Sequence, residues 1–397
     1  MNNPSIDEIK RAVYKDFFST LTYPKKDIID ELITEHPFEY PAGWKDAFFK
    51  AMQFNFAYQF DNCEFYRKLC IRKGFDKTKL ANFEDIWNIP FILSDIFKYY
   101  DLDTRSDDDL KIEFSSSGTS GRKSKVSVNR ITGMRLLFMN YFIYKSLGLV
   151  SSGPPVNYLM MSYNPEIDSS ISTTNSDIFV SYFAPPKNMF FVLDKDSSNK
   201  IVFLKDKTIE QLRRFIEEGA PIRVLGLIHY ICEVILAYKL KYGKVCFPAG
   251  SYILHGGGWK SFANLYGHGF DLSVFLQENT NIDINNVRDV YGLNEHTIFY
   301  LECEKHNMHI PNTVLACARD PHNMQRLPFG AAGLIHLITP VIESYPGLSL
   351  LTTDYGSIGE SCPCSIGGPY LKILGRAGIT KKGTCALTAE QYINIAK

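Results

Sequence analysis

Apolar positions follow two patterns along the chain, and the change falls near residue 105. Before it, apolar and aromatic residues recur at helical spacing, which predicts a helical N-terminal part over residues 1–105. The stretches with this spacing are Ile9–Phe18, Trp44–Phe60 and Cys63–Lys73. None of them carries a recognisable catalytic motif, so we expect the chemistry to lie further along the chain.

After residue 105, short apolar runs alternate with glycine-rich turns and longer stretches of helical spacing. The runs predict strands at Lys111–Phe114, Val156–Met161, Ile222–Gly226, Ser251–Leu254, Val287–Tyr291, Gly333–Ile338 and Leu348–Thr352. The longer stretches predict helices at Met134–Leu147, Thr208–Glu218 and Tyr230–Tyr242. This alternation is typical of α/β layers with a substantially parallel sheet, whose ligands bind where strands end. We therefore expect an α/β core over residues 106–376 and a short tail over residues 377–397.

Charge and composition narrow the class of protein. Lys plus Arg equals Asp plus Glu, at 43 each, which argues against a nucleic-acid-binding surface. The most apolar helical candidate, Met134–Val150, is too short and too polar to span a bilayer. The first residues lack the apolar core of a signal peptide, so we expect a cytoplasmic protein. Its nine cysteines are then reduced thiols, metal ligands or a reactive thiol rather than disulfides.

The sharpest motif is FSSSGTSGRKSK, which runs from Phe114 to Lys125. Its glycines let the backbone turn tightly around an anion, its hydroxyls can donate to phosphate oxygens, and its basic end adds positive charge. The candidate phosphate ligands are Ser115, Ser116, Ser117, Gly118, Thr119, Ser120, Gly121, Lys123 and Lys125. The spacing of a Walker A loop is absent. A flexible Ser/Gly linker is the alternative, and the predicted strand before the loop and helix after it count against a linker.

This loop resembles the phosphate-binding loop of the adenylate-forming superfamily, and further motifs follow in that superfamily's order. VYGLNEH at 290–296 is similar to its Y-G-x-T-E motif, HGGGW at 255–259 to its glycine-rich stretch, TDYG at 353–356 to its ribose-binding region, and LGR at 374–376 to its hinge. The resemblance implies that Tyr291 stacks on adenine and that Glu295 holds Mg²⁺ on the triphosphate of ATP. It further implies that Asp354 binds the ribose and that Arg376 meets ribose or phosphate during catalysis.

The same resemblance implies further residues of the nucleotide pocket and the residues of an acyl pocket. Gly257, Gly258, Gly292 and Asn294 would border the nucleotide, and His229, His255, Gly256 and Trp259 would border the acyl group. A core histidine bonded to backbone is the alternative for His229. Lys123 and Lys125 are both candidates for the lysine that reaches the phosphates, because the usual Pro-Lys pair is replaced in this loop.

Within the superfamily the chain resembles the acyl-protein synthetases, also called long-chain-fatty-acid–luciferin-component ligases. The resemblance is carried by SSGTSG at 116–121, GGWK at 257–260, CPC at 362–364, LGR at 374–376 and GTC at 383–385. It implies an adenylate-forming large domain whose usual C-terminal domain is reduced to the short tail. It also implies that Cys385, beside two lysines, takes the acyl group as a thioester, since a thiolate can attack a mixed anhydride. A cysteine without a role is the alternative.

A second cluster predicts a structural zinc site. Cys303 and His309 form a C-x5-H pair, and Cys362 and Cys364 form a C-x-C pair some fifty residues later. Four such ligands suit tetrahedral Zn²⁺ and leave no open position for catalysis. The metal would tie the loop after Glu295 to the loop after Asp354. Reduced cysteines without metal are the alternative, and His306 is the rival histidine.

Three functions remain open at this stage. The first is an acyl-protein synthetase, which uses ATP and Mg²⁺ to adenylate a carboxylic acid, forms acyl-Cys385 and delivers the acyl group to a partner protein such as a fatty-acid reductase. The second is an acyl-CoA or aryl-CoA ligase of the phenylacetate-CoA ligase type, against which the missing C-terminal domain counts. The third is a non-catalytic nucleotide-binding scaffold, against which the intact loop, Glu295 and Asp354 count.

Overall fold

The computed structural model describes residues 25–104, 112–115, 123–165, 167, 172–257 and 270–376. Its α-helices are α1 (Trp44–Asn62), α2 (Glu64–Arg72), α3 (Arg130–Ser146), α4 (Ser172–Ser181), α5 (Lys205–Glu218), α6 (Ile228–Tyr242) and α7 (Leu272–Asn279). Its strands are β1 (Ile92–Leu93), β2 (Ile112–Ser115), β3 (Lys125–Val128), β4 (Val156–Tyr163), β5 (Pro186–Lys195), β6 (Ile201–Phe203), β7 (Ile222–Leu227), β8 (Tyr252–Gly256), β9 (Val287–Tyr291), β10 (Tyr300–Leu301), β11 (Met308–His309), β12 (Leu315–Arg319), β13 (Ala332–Ile338), β14 (Ser349–Gly359) and β15 (Tyr370–Arg376).

The predicted strands and helices are confirmed wherever the structure describes them, with bounds that shift by a few residues. The largest extension is at β14, which continues to Gly359 beyond the predicted end at Thr352. Alternate residues of this extension remain buried, so one face of the strand still packs on the core. The predicted helix at Ile9–Phe18 lies outside the described residues.

The described residues divide into two compact units. Unit 1 draws on Met1–Ser146, Gly292–Tyr300 and Asn307–Lys397, and unit 2 on Leu147–Tyr291 and Leu301–His306. The proposed boundaries at residues 105 and 376 stay a prediction, and the tail at 377–397 lies outside the described residues. Among the described helices, none is both long and apolar enough to cross a membrane.

Unit 1 contains an antiparallel sheet and a separate hairpin. The sheet has the order β11-β15-β14-β13-β12, and β1 pairs in parallel with β14. The hairpin consists of β2 and β3, which pair from Ile112 with Val128 to Ser115 with Lys125. Helix α3 follows the hairpin after Asn129, whose Oδ1 accepts a hydrogen bond from the Thr132 N–H at 2.8 Å and so caps the helix start. The FSSSGTSGRKSK motif therefore spans the two strands of a hairpin, and β3, which was not predicted, separates the motif from the helix predicted at Met134–Leu147.

Unit 2 contains a sheet that is parallel from β9 through β8, β7 and β4 to β5, with β6 antiparallel at the edge. Residues on one face of β4 and β7, including Leu159 and Val224, pack against Leu212 of α5 and Ile231 of α6. Both faces of these central strands are buried, as expected where connections cover a parallel sheet. The carboxyl ends of β7, β8 and β9 therefore lie at one edge, where ligands of such sheets bind.

Candidate functional site

The strands β2 and β3 hold the two ends of the predicted phosphate loop together in unit 1. Ser115 pairs with Lys125, and the Ser115 and Ser124 side chains are buried while Lys123 and Lys125 are exposed. An antiparallel pair of this kind brings the two ends of the predicted loop within one strand spacing of each other. The predicted ligands between them lie outside the described residues: Ser116, Ser117, Gly118, Thr119, Ser120 and Gly121.

Asn294 joins the VYGLNEH motif to the two ends of the predicted phosphate loop. Its Nδ2 donates to the Phe114 carbonyl oxygen at 3.4 Å, and to the Ser124 carbonyl oxygen and Oγ at 3.3 Å each. One amide group thus contacts the last part of β2 and the residue just before β3. Although Asn294 stands where the superfamily motif has Thr, its longer side chain makes these contacts. The predicted phosphate loop and the segment that carries Glu295 are therefore neighbours in unit 1.

Glu295 is buried beside the same hairpin, with 7% of its surface exposed. Burial raises the pKa of its carboxyl, and the Ser124 hydroxyl and the Lys98 ammonium offset this rise only in part. Lys98 itself forms an ion pair with Asp95 at 2.7 Å, which limits what it offers to Glu295. A negative charge on Glu295 is consequently under-compensated by the protein, which suits a carboxylate that serves a cation.

Asp354 and Arg376 form a second pair in unit 1, on adjacent strands. They lie opposite each other in the ladder between β14 and β15, and Asp354 Oδ1 is 3.6 Å from Arg376 Nε. The Asp354 side chain is buried at 7% exposure, whereas the Arg376 side chain is 63% exposed. The carboxylate is thus fixed by the sheet, while the guanidinium keeps most of its donors available to a ligand.

The predicted residues of unit 2 gather at the carboxyl edge of its parallel sheet. His255 and Gly256 end β8, and Tyr291 ends β9. A side chain on Gly256 would place its Cβ 2.8 Å from the Val290 carbonyl oxygen, so the ladder there requires glycine. Gly257 follows with a φ of 74°, a left-handed conformation that glycine adopts without strain. Gly258 and Trp259 lie outside the described residues.

The two histidines of the predicted acyl pocket sit in different settings within unit 2. His255 Nδ1 is 3.4 Å from Asp289 Oδ1 on the neighbouring strand, and its side chain is 12% exposed. His229 is buried in the first turn of α6, with its ring centroid 4.1 Å from that of Tyr230. Gly292 follows Tyr291 in the sequence and belongs to unit 1. A Cβ added to Gly292 would lie 3.0 Å from the Phe299 ring, so a larger residue would crowd that ring.

Three of the four predicted zinc ligands lie together in unit 1. The ligand atoms of His309, Cys362 and Cys364 are within 4.8 Å of one another, and Cys303 belongs to unit 2. His309 Nε2 is 3.1 Å from Cys364 Sγ, and the ring of Phe38 packs against His309 with centroids 5.2 Å apart. Tetrahedral Zn²⁺ with bonds of about 2.0–2.3 Å spaces its ligand atoms by roughly 3.5–4 Å, so the cluster has the right size.

Neighbouring groups fit thiolate ligands and separate the two candidate histidines. Backbone Lys305 N–H points at Cys303 Sγ, and Asn307 Nδ2 at Cys362 Sγ, each at 3.3 Å. Donors to sulfur are the contacts that orient metal-bound thiolates. The rival His306 instead pairs through Nδ1 with Glu302 Oε2 at 3.0 Å. His309 is accordingly the histidine of this cluster.

Sequence reasoning missed two residues of these sites. Ser124, which binds Asn294 and lowers the cost of a charge on Glu295, stands where the superfamily loop usually has Lys. Strand alternation could have found it, since Ser124 precedes the exposed Lys125 and so points inward. Asp289 on β9 pairs with His255 on the neighbouring strand β8, and the sequence pattern does not specify the register that brings them together.

A family model described as acyl-protein synthetase, LuxE, matches residues 22–394. The long-chain-fatty-acid–luciferin-component ligase of Aliivibrio fischeri is 27% identical over 353 residues, which cover 85% of this chain and 86% of that protein. The ligase of the same name from Vibrio harveyi is 27% identical over 350 residues, which cover 85% of each chain.

Among solved structures, a 2-hydroxyisobutyryl-CoA ligase in complex with 2-HIB-AMP and CoA matches 86% of this chain and 70% of its own, with a TM-score of 0.61 and 16% identity. The same ligase in an open conformation matches with a TM-score of 0.59. Likeness at this identity shows the fold alone, and it confirms the predicted adenylate-forming α/β architecture.

The family model extends over nearly the whole chain, including the loop, the VYGLNEH motif and the cysteine-containing tail. It confirms the predicted enzyme class, an acid–thiol ligase, and the predicted activity, activation of a carboxylic acid by adenylation. On the strength of this match and of the fold, the chain belongs to the acyl-protein synthetase family.

Proposed function

We propose that the chain activates a fatty acid with ATP and Mg²⁺, holds the acyl group on Cys385 and passes it to a partner protein such as a fatty-acid reductase. The observation that carries the nucleotide part is the contact of Asn294 with Phe114 of β2 and with Ser124 just before β3. That contact keeps Glu295 beside the loop that would bind the phosphates. The curated relatives are named for long-chain fatty acids, which supports the substrate class.

Adenylation then follows from these positions. A carboxylate oxygen of the fatty acid attacks the α-phosphorus of ATP, a P–O bond forms, and the bond to pyrophosphate breaks. Glu295 fits the Mg²⁺ carboxylate because its own surroundings leave its charge under-compensated. Mg²⁺ supplies neutralisation of the phosphate charge when it is bound. Asp354 would accept from the ribose hydroxyls, and Arg376 would face ribose or phosphate with its exposed donors.

Transfer to the thiol is the second step. The Cys385 thiol loses its proton to solvent, the thiolate attacks the acyl carbon, a C–S bond forms and AMP leaves. Cys385 lies outside the described residues and within the family match, and its neighbours Lys381 and Lys382 would favour the thiolate.

Two measurements on matched variants test this assignment. Acid-dependent exchange between ATP and pyrophosphate reports adenylation, and radiolabelled fatty acid retained on denatured protein reports the thioester. We expect Glu295→Ala to reduce exchange by at least about a hundredfold, a loss of the size seen when one charge-stabilising group is removed. Cys385→Ser should keep exchange and lose the retained label.

The controls separate the competing functions. Cys246→Ser removes an exposed cysteine elsewhere and should match the wild type in both assays. Loss of exchange in Cys385→Ser would contradict the two-step scheme. Release of acyl-CoA when coenzyme A is added, with no label on the protein, would favour the CoA-ligase alternative. No exchange with any acid would leave only the scaffold.

We further propose that Cys303, His309, Cys362 and Cys364 hold a structural Zn²⁺. Four protein ligands fill a tetrahedral shell, so the ion would stabilise the fold rather than react. Purified protein should contain about one zinc per chain, and removal by a chelator should lower the melting temperature. Cys364→Ser should lose the metal while Cys246→Ser keeps it, and less than a tenth of an equivalent in the wild type would refute the site.

A further inference from the structure

Arg223 is a buried arginine at the centre of the parallel sheet in unit 2. It is the second residue of β7, and its cross-strand neighbours are Tyr158 on β4 and Tyr252 on β8. Its guanidinium carbon lies 4.6 Å from the centroid of the Tyr252 ring and 5.9 Å from that of the Tyr158 ring. Only 4% of the residue is exposed. The three residues therefore form a Tyr-Arg-Tyr row on one face of the sheet.

The two tyrosines of this row make few hydrogen bonds to the Arg223 guanidinium. Arg223 Nη1 donates to the Tyr158 hydroxyl at a long 3.4 Å, and Nε is closed to solvent without an acceptor. Among the described residues, no carboxylate lies within 4 Å of the guanidinium. Burial raises the pKa of both Tyr158 and Tyr252, so both phenols stay neutral and provide no countercharge.

A guanidinium in this setting is unusual. Arginine is seldom buried without a paired acid, because taking a charge from water costs more than two aromatic faces return. The two phenols of the row direct their own O–H donors elsewhere: the hydroxyl of Tyr158 donates to the Ala184 carbonyl and that of Tyr252 to the Leu149 carbonyl. Within unit 2, then, Arg223 has capacity for an acceptor that the described chain does not fill.

The position of the row separates it from the predicted substrate groups. Arg223, Tyr158 and Tyr252 all stand near the amino ends of their strands, whereas His255, Gly256 and Tyr291 stand at the carboxyl ends. Nη2 also has no acceptor among the described residues, and unlike Nε it is not closed off from solvent. A planar oxyanion that approached this edge could accept from Nη1 and Nη2 together.

We propose that Arg223 is the anchor of an anion site at the amino edge of the unit 2 sheet, which takes a carboxylate or phosphate group of a small molecule. Tyr158 and Tyr252 flank the guanidinium and hold it flat, so that its fork is fixed before the anion binds. The site is distinct in sequence and in strand position from the residues assigned to adenylation, and it does not depend on the proposed function.

The test compares anion binding by the wild type and by variants at constant ionic strength. Melting temperature and equilibrium dialysis are measured against inorganic phosphate and, in a separate arm, against acetate, with chloride as the balancing salt. The variants are Arg223→Gln, which removes the charge, and Arg223→Lys, which keeps it but loses the planar fork. Lys187→Gln removes an exposed lysine on β5 and serves as the control for binding at the protein surface.

We expect the wild type to bind one more anion per chain than Arg223→Gln, with a saturable rise in melting temperature. Arg223→Lys should need about tenfold more anion for half saturation, and Lys187→Gln should match the wild type. A response to phosphate alone would assign the site to phosphate, and a response to acetate alone to carboxylates. Equal binding by the wild type and both Arg223 variants would overturn the proposal and leave the row as a cation–π contact only.

Discussion

Arg135 in unit 1 and Arg223 in unit 2 are both buried, and their charges are accommodated in opposite ways. Arg135 on α3 is fully buried and meets three carboxylates: Asp30 at Nε and Glu343 at Nη1, each at 2.8 Å, and Asp27 at Nη2. Arg223 on β7 is buried to nearly the same degree and meets two tyrosine rings. Burial alone therefore says little about what an arginine does, and its partners decide.

The partners of Arg135 come from distant parts of unit 1. Asp27 and Asp30 belong to the first described turn, while Glu343 lies between β13 and β14. Asn129, which caps α3 after the phosphate-loop hairpin, also reaches Glu343 and Ser344. Arg135 thus ties the helix that follows the hairpin to these two segments of unit 1. Arg223, by contrast, forms no ion pair with the described residues and contacts only its two neighbouring tyrosines through cation–π contacts and one long hydrogen bond.

The largest contrast should appear when each charge is removed. Arg135→Met leaves three carboxylates without their cation, so we expect the free energy of unfolding to fall by about 3–5 kcal/mol in urea denaturation at pH 7. Asp30→Asn is the matched control, because it removes one contact and keeps the cation paired with two acids. A loss below about 1 kcal/mol for Arg135→Met would mean that the cluster contributes no net stability.

In unit 2 the buried Asp177 carboxyl has no cation partner among the described residues, and the pH dependence of stability should reveal it. Burial raises the pKa of Asp177 on α4 to about 7, and the Ser162 hydroxyl offsets this only in part. As pH rises above about 4, Asp177 loses its proton in the unfolded chain but keeps it in the folded chain. The free energy of unfolding therefore falls between about pH 4 and about pH 7. Asp177→Asn should therefore stabilise the protein by about 2–4 kcal/mol at pH 8 and by little at pH 4. An equal effect at both pH values would contradict the shifted pKa.

Unit 1 should respond to pH with the opposite sign. Burial and the nearby Arg319 lower the pKa of His336, which accepts from Arg319 Nε at 2.9 Å and faces Ser349 Oγ at 2.9 Å. As pH falls below about 6.5, the unfolded histidine takes up a proton and the folded one does not, so stability falls. One histidine that stays neutral in the folded chain lowers the free energy of unfolding by about 1.4 kcal/mol for each pH unit below about 6.5. His336→Gln should reduce the slope of unfolding free energy against pH below 6.5 by that amount, and an unchanged slope would count against this assignment.

The smallest effect is expected at Arg223, and it sharpens the contrast with Arg135. Arg223→Met removes a buried charge together with its cation–π contacts, so the two changes oppose each other. We expect the free energy of unfolding to change by less than about 1 kcal/mol in a buffer without phosphate or carboxylates. A loss as large as that of Arg135→Met would show that the tyrosine row is itself a major source of stability.

The spacing of apolar residues and the order of short motifs were enough to predict much of the secondary structure and the superfamily of this protein. Alternation and helical spacing located the strands and helices of the core, since burial on one face imposes a period that the sequence must follow. The order of the loop, VYGLNEH, TDYG and LGR motifs was sufficient to indicate the superfamily. The C-x5-H and C-x-C spacing was sufficient to predict a set of metal ligands, and His309, Cys362 and Cys364 of that set lie together in unit 1.

Tertiary structure decided which distant residues meet. Only the folded chain places Asn294 against both ends of the predicted phosphate loop, and only the folded chain places His309 beside Cys362 and Cys364 while His306 pairs with Glu302. The same holds for the three acids around Arg135 and the two tyrosines around Arg223, since neither set has a regular spacing in the sequence. Strand period fixes the face on which a residue lies, but register and packing between distant segments choose its neighbours.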